Sequence, residues 1–106
     1  MSQALNLIRG MVRAGDLELS YHCLKSLTER YIDLEETISG LDSAILVEER
    51  WETDRIKRVV VLQRETDGSP VHVVWETPEV LGRPAVLVTA YRPDPAEWTE
   101  DFKRRR

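Results

Sequence analysis

Cysteine is nearly absent from the chain. Cys23 stands alone, so no internal disulfide and no cysteine-rich zinc site can be assembled. Histidine is almost as scarce: His22 and His72 are the only two, and no acidic residue stands at a telling spacing from either. That argues against a metal centre, and no cofactor is expected. No apolar run approaches the roughly 20 residues needed to cross a bilayer. The opening MSQALNLIRGMVRAG is apolar enough to suggest a signal peptide, but Asn6, Arg9 and Arg13 interrupt it and no long apolar stretch follows. It reads as an amphipathic helix, and the expected compartment is the cytoplasm, with no membrane partner. Repeats and low-complexity linkers are missing too. Nor is there an excess of positive charge: a formal net charge of -4 argues against indiscriminate attraction to nucleic acid.

What is present is an ordinary globular composition, 42% hydrophobic and 32% charged over 106 residues. That suits a single domain, 1–106, with a modest core. The charge is unevenly spread. Residues 33–52, DLEETISGLDSAILVEERWE, hold seven acids and one base, a net of -6, so the rest of the chain sums to +2. Such a segment is either a solvated acidic face or a docking face for a basic partner.

The first half carries helical spacing. Leu5, Ile8 and Val12 form one stripe with Leu7 and Met11 beside it, and Gly15-Asp16 ends the pattern. LELS (17–20) alternates as a brief strand would. Ser20 then caps a helix over 21–30, with Leu24, Leu27 and Tyr31 expected on its inner side. Asp33 followed by Glu36 has capping-box spacing and opens a third helix, with Leu34, Ile38 and Leu41 inward and its end near Gly40.

From residue 43 the period becomes strand-like. SAILVEERWE and DRIKRVVVLQRE are β-branched and joined at Thr53-Asp54; VVVL (59–62) is apolar on both faces, as a central strand is. Thr66-Asp-Gly-Ser-Pro70 is a turn, VHVVWE (71–76) a strand, Pro78 to Pro84 a loop, and AVLVTAY (85–91) the last strand. Short links favour antiparallel neighbours. The expected fold is α+β, with N-terminal helices packed on one face of a curved four-stranded antiparallel sheet. The ending DPAEWTEDFKRRR predicts a short C-terminal helix. Asp94 is its N-cap, Pro95 its N1 and Glu97 its N3; Trp98 and Phe102 share one face, and Lys103 to Arg106 complement the dipole.

Chemistry has few places to sit. His22 falls in the first turn of the second helix, where a neutral imidazole and free N–H groups could meet a phosphate; the alternative is a partly exposed helix-start residue. His72 alternates against Val71 and Val73, so it faces the less apolar side of the sheet, as a reacting group or as a structural one. Tyr91 and Arg92 end the last strand. A phenol there can bond a phosphate or stack on a base, and a guanidinium can fork onto a phosphate. They could equally cover the sheet edge and pair with surface carboxylates.

Taken together, Ser20-Tyr-His22, Glu29-Arg30-Tyr-Ile32 with the acidic helix after it, Pro70-Val-His72-Val-Val74, and Thr89-Ala-Tyr91-Arg-Pro93-Asp-Pro95 with Trp98 resemble a bacterial family. It is the domain of unknown function 4258 family, small proteins compared with RelE-like and BrnT-like toxins. The resemblance covers about residues 17–104. It departs at Tyr31, where the family pattern generally has glycine. The resemblance implies a RelE-like fold and the toxin half of a type II toxin–antitoxin pair: a metal-independent endoribonuclease that cleaves mRNA by attack of the ribose 2′-OH. Its partners would be an antitoxin protein and RNA or the ribosome. Carried onto this chain, His22, His72 and Tyr91 are the expected catalytic groups, and Arg30, Arg92 and Lys25 the substrate-binding cations. The competing expectation is a non-catalytic protein-binding or regulatory module of the same fold, with the acidic 33–52 segment as its partner surface.

Overall fold

The computed structural model describes residues 2–78 and 84–106. Most of the expected Pro78–Pro84 loop lies outside them. Three helices come first, with a short strand between the first two: α1 (Gln3–Arg13), β1 (Leu17–Leu19), α2 (Tyr21–Arg30) and α3 (Leu34–Ser39). A 3₁₀ turn at Gly40–Ser43 leads into β2 (Ile45–Trp51), β3 (Ile56–Arg64), β4 (Pro70–Pro78) and β5 (Ala85–Tyr91). The starts of α2 and α3 are those the sequence marks, and Ser2 caps α1 in the same way. Ser2, Ser20 and Asp33 side chains accept from the Leu5, Cys23 and Glu36 amides at 3.0, 2.9 and 2.8 Å, each satisfying one amide that the first helical turn leaves free.

Strands β2 to β5 form the expected antiparallel meander, but the sheet has five strands, in the order β1-β5-β4-β3-β2. β1 lies parallel to β5, Leu17 opposite Ala85 and Leu19 opposite Leu87. Ser20 locks this edge by donating its amide to Leu87 O and its hydroxyl to Val88 O, at 3.1 and 2.8 Å. Short links identify only sequential partners. A pairing between segments 68 residues apart depends on where α2 returns the chain, which no local pattern records.

The helices cover one face of the sheet. Leu5, Ile8, Cys23 and Leu27 pack against Val59, Val61, Val73, Trp75, Leu87 and Ala90, a continuous apolar core whose burial is the main stabilising term. Two expected inner residues are not there: Leu24 is 47% and Tyr31 90% exposed. Tyr31 is the C-cap of α2, in the left-handed region at φ 55. Ile32 donates back to Leu27 O at 3.0 Å and is buried, which is the closure a Schellman cap makes.

Val60, Leu62, His72 and Val74 are buried on the opposite face, so VVVL is covered on both sides as expected. A bulge decides which β5 residues join them. Strict alternation from Ala85 and Leu87 would turn Tyr91 toward the helices. The register instead slips between Val74 and Trp75, so Leu87 faces Trp75 while Thr89 faces Val74 and Tyr91 faces His72. One extra residue therefore moves Tyr91 across the sheet.

The C-terminal segment is not a helix. Asp94 does start a turn: its carbonyl accepts from the Glu97 and Trp98 amides and its Oδ1 from Ala96. The chain then reverses, with Thr99 N donating to Arg104 O and Arg106 N to Glu97 O, both at 2.8 Å, and Trp98 bridged to Arg105. Thr99 and the Lys103 amide both bond Asp101 Oδ1, and Phe102 takes φ 59. Capping signals can nucleate one turn, but an isolated helix this short is unstable. The returning hairpin gives more: it seats Trp98, 2% exposed, against the sheet. The terminal cations therefore cap no helix; Arg105 instead pairs with Glu48 at 3.2 Å and stacks over Trp98 at 4.6 Å.

Candidate functional site

The β4–β5 register and the C-terminal hairpin meet at His72, whose exposure is 0%. Its Nε2 lies 2.7 Å from Phe102 O and its Nδ1 3.2 Å from Tyr91 Oη. A carbonyl only accepts, so Nε2 carries the proton, and Nδ1 accepts from the Tyr91 hydroxyl. Trp98 meets the imidazole edge-on from the C-terminal hairpin at 4.4 Å and 83°, with Tyr91 edge-on from β5 at 5.4 Å. Burial pushes the imidazole below the ordinary histidine value, against the smaller opposing effect of the Phe102 hydrogen bond. Burial also pushes the Tyr91 phenol up. Both groups are thus neutral at neutral pH, and the ring is a hydrogen-bond relay from phenol to backbone.

The other four expected site residues lie elsewhere. His22 and Lys25 are exposed on α2, the helix that packs on the opposite face from His72. His22 Nε2 reaches only Ser26 Oγ, at 3.3 Å, and Lys25 pairs loosely with Glu29 at 4.0 Å. The sheet stands between the two histidines, so they cannot attend one phosphate in this arrangement. Arg92 turns away from His72. Its Nε and Nη2 fork onto Glu65 at 2.6 and 3.0 Å, and its Nη1 donates to Arg30 O at 2.6 Å. Arg30 in turn donates to Ala90 O at 3.2 Å. The two arginines tie the end of α2 to the end of β5. His72 and Tyr91 converge; Arg92, Arg30, His22 and Lys25 do not join them.

Two further cations, Arg64 and Lys103, border the His72 face. Arg64 shares the His72 face, because Leu62 stands opposite His72 and side chains two apart along a strand point the same way; strand parity was the signal that could have found it. Its guanidinium lies 5.9 Å over the Phe102 ring. Beside it opens a cleft of about 490 Å³ lined by Ser43, Ile45, Leu62, Gln63, Arg64 and Lys103, among others. The position of Lys103 follows from the hairpin; the sequence marked it only as part of the basic run Lys103 to Arg106.

The acidic segment is largely committed internally. Asp33 caps α3, Glu36 accepts from the Thr66 amide and hydroxyl, Asp42 pairs with Arg13, and Glu48 with Arg105. Glu49 accepts from Ser2 and pairs with Lys57, while Glu52 pairs with Arg50 and Arg58. Glu35 alone among its seven carboxylates has no such bond among the described residues. Among those residues no three His, Cys, Asp or Glu side chains gather as metal ligands, and no helix is long and apolar enough to cross a membrane.

Fold and site define a mixed α+β protein with helices on one sheet face and, on the other, a buried histidine bonded to a half-buried tyrosine. The family of domain of unknown function DUF4258 matches residues 19–92, and the chain belongs to it. No curated protein and no solved structure matches the chain.

Proposed function

We propose that the chain is a metal-independent endoribonuclease of RelE-like fold, the toxin half of a bacterial type II toxin–antitoxin pair. The observation that carries this reading is the His72–Tyr91 hydrogen bond on the helix-free face, next to the Arg64 and Lys103 cleft. Cleavage by 2′-OH attack needs a base to take the hydroxyl proton, an acid to protonate the departing 5′ oxygen, and cations at the phosphate. A single neutral imidazole can fill the first two roles in turn, taking the 2′-OH proton and then handing it to the departing 5′ oxygen.

In the arrangement described above, Phe102 O holds Nε2 in its protonated form, which cannot act as a base. Lifting Phe102 frees that nitrogen. The proton then moves to Nδ1, which donates to Tyr91 Oη, and the Nε2 lone pair faces the substrate. The closed form is the resting state on this reading. The test is RNA turnover in EDTA by the full chain, alongside growth arrest on expression. His72→Gln and Tyr91→Phe, each checked for an intact fold, should cut turnover by roughly 10²–10⁴-fold. Undiminished cleavage in the double variant refutes the assignment.

A second reading, a non-catalytic protein-binding module of the same fold, has its own observation. His72 is sealed, while α2 presents Tyr21 and Tyr31, 83% and 90% exposed, with Leu24 between them. Residues 21, 24 and 28 follow helical spacing and form a stripe on one side of α2, while Tyr31 stands at its left-handed C-cap. It is a better partner surface than the acidic segment, most of whose carboxylates are already engaged within the fold. Harmless expression and no RNA turnover, with a stoichiometric complex with an antitoxin-like protein that Tyr21→Ser and Leu24→Ser abolish, would favour it.

A further inference from the structure

The cleft beside β3 holds groups whose bonding capacity the fold uses only in part; Arg64, for one, donates to Gly68 O at 3.4 Å and pairs with no carboxylate among the described residues. Gln63 is 7% exposed and donates from Nε2 to Thr37 O at 2.9 Å. Because that carbonyl can only accept, the amide cannot be flipped, and Oε1 is left buried with no hydrogen-bond partner among the described residues. A buried acceptor without a donor is a destabilising arrangement that a bound donor would relieve. The amide is nevertheless accommodated closely: a Cβ at Gly40 would stand 2.6 Å from Gln63 Nε2. β2 begins opposite Leu62, so Gln63 and Arg64 run past its end and the sheet edge is open there.

Two cations flank this notch. Among the described residues no carboxylate lies within ion-pair distance of Arg64 or Lys103, although Arg13, Arg50, Lys57, Arg58, Arg92 and Arg105 all have one. Ile45, 47% exposed, and Leu62 supply an apolar wall. Asp101 also lines the cleft. Its Oδ1 is engaged by Thr99 and the Lys103 amide, which leaves its second oxygen to accept from a hydroxyl. The volume, about 490 Å³, falls in the range of about 300–1,000 Å³ of small-molecule sites.

We infer that this cleft binds one ribonucleoside monophosphate unit. Arg64 and Lys103 take the phosphate, the base lies against Ile45 and Leu62, and a base N–H or amine donates to Gln63 Oε1. Asp101 accepts from the ribose. Every base carries a suitable donor, so the orphan acceptor selects for a base without choosing one. That the unit belongs to an RNA chain rests on the ribonuclease reading; the binding itself does not.

The test is titration of the ¹⁵N-labelled full chain with adenosine 3′-monophosphate, adenosine, inorganic phosphate and a short oligoadenylate. The mononucleotide should shift the Gly40, Leu62, Gln63, Arg64 and Lys103 amides saturably. Adenosine and phosphate should each bind at least roughly tenfold more weakly. Arg64→Gln with Lys103→Gln should weaken the mononucleotide by a similar factor, and Gln63→Met should lose the preference for nucleotide over phosphate. Tighter binding of the oligonucleotide than of the monomer identifies RNA as the source, and equal binding identifies free nucleotide. Phosphate binding as tightly as the nucleotide, an unaffected double variant, or shifts away from the cleft would each overturn the site. Tyr91→Phe should retain binding even where it abolishes cleavage, so failure of the ribonuclease reading leaves a distinct result.

Discussion

Removing the indole of Trp98 should unseat the whole C-terminal hairpin. Trp98 is 2% exposed, packs edge-on to His72 at 4.4 Å, and carries Arg105 on its ring at 4.6 Å. Aromatic-to-alanine changes in cores cost about 3–5 kcal/mol. Arg105 is largely solvated, so one flank of the indole borders a mobile side chain, and the expected loss for Trp98→Ala is near the lower end, about 3 kcal/mol. At about 4–8 °C per kcal/mol for a domain of this size, the melting temperature should fall by about 12–24 °C. The rest of the core is untouched, and domains of this kind hold about 5–15 kcal/mol in all, so the variant should remain folded at room temperature. Water would then reach His72. Its depressed titration comes first from burial, so its midpoint should climb toward the ordinary value of about 6.5. Urea unfolding followed by near-UV circular dichroism measures the first effect, and ring resonances of His72 across pH measure the second. A loss under about 1 kcal/mol together with an unmoved His72 titration would refute the clasp.

His72 should also make the wild-type protein acid-sensitive. Its folded pKa lies below its unfolded value, so the unfolded chain binds the proton first. Stability is full above about pH 6.5 and falls below it, by at most about 1.4 kcal/mol per pH unit, until the folded pKa is passed. His72→Gln should flatten the urea midpoint between about pH 5 and 6.5, where carboxylates titrate little; an equal slope in both proteins contradicts this. Tyr31→Gly should raise stability by about 1 kcal/mol, since φ 55 is costly for tyrosine and free for glycine, and the exposed ring loses no packing. A lower urea midpoint would refute the left-handed cap. Gly40→Ala should cost about 1–3 kcal/mol, because its Cβ would displace the Gln63 amide and break the bond to Thr37. An unchanged midpoint, with the Gln63 side-chain amide resonances unmoved, would show that the crowding is relieved elsewhere.

Local signals in this chain were legible because each is complete within a few residues. Ser20 and Asp33 cap helices, Gly68 turns with φ 88, and the change from helical to alternating period falls where α3 gives way to β2. The same logic overreached at Asp94-Pro95-Glu97, where three agreeing helix signals produced one turn before Trp98 drew the chain back to the sheet. Leu24 and Tyr31 were placed inward by spacing, yet α2 needs only Cys23, Ser26 and Leu27 to meet its neighbours, which leaves a second stripe outside.

The candidate site was legible by residue type and not by place. Sequence marked His72 and Tyr91 but could not pair them, since the bulge that sends Tyr91 to His72 is a property of the β4–β5 register. It grouped His22 with them, and the sheet separates the two histidines. It left Arg64 unmarked and gave Lys103 only a place in the basic C-terminal run. Caps, turns and periods are energies of neighbouring residues, so the sequence alone determined them. Strand register, the face a side chain reaches and the seating of the C-terminal hairpin are set by burial between distant segments, and only the tertiary structure decided those.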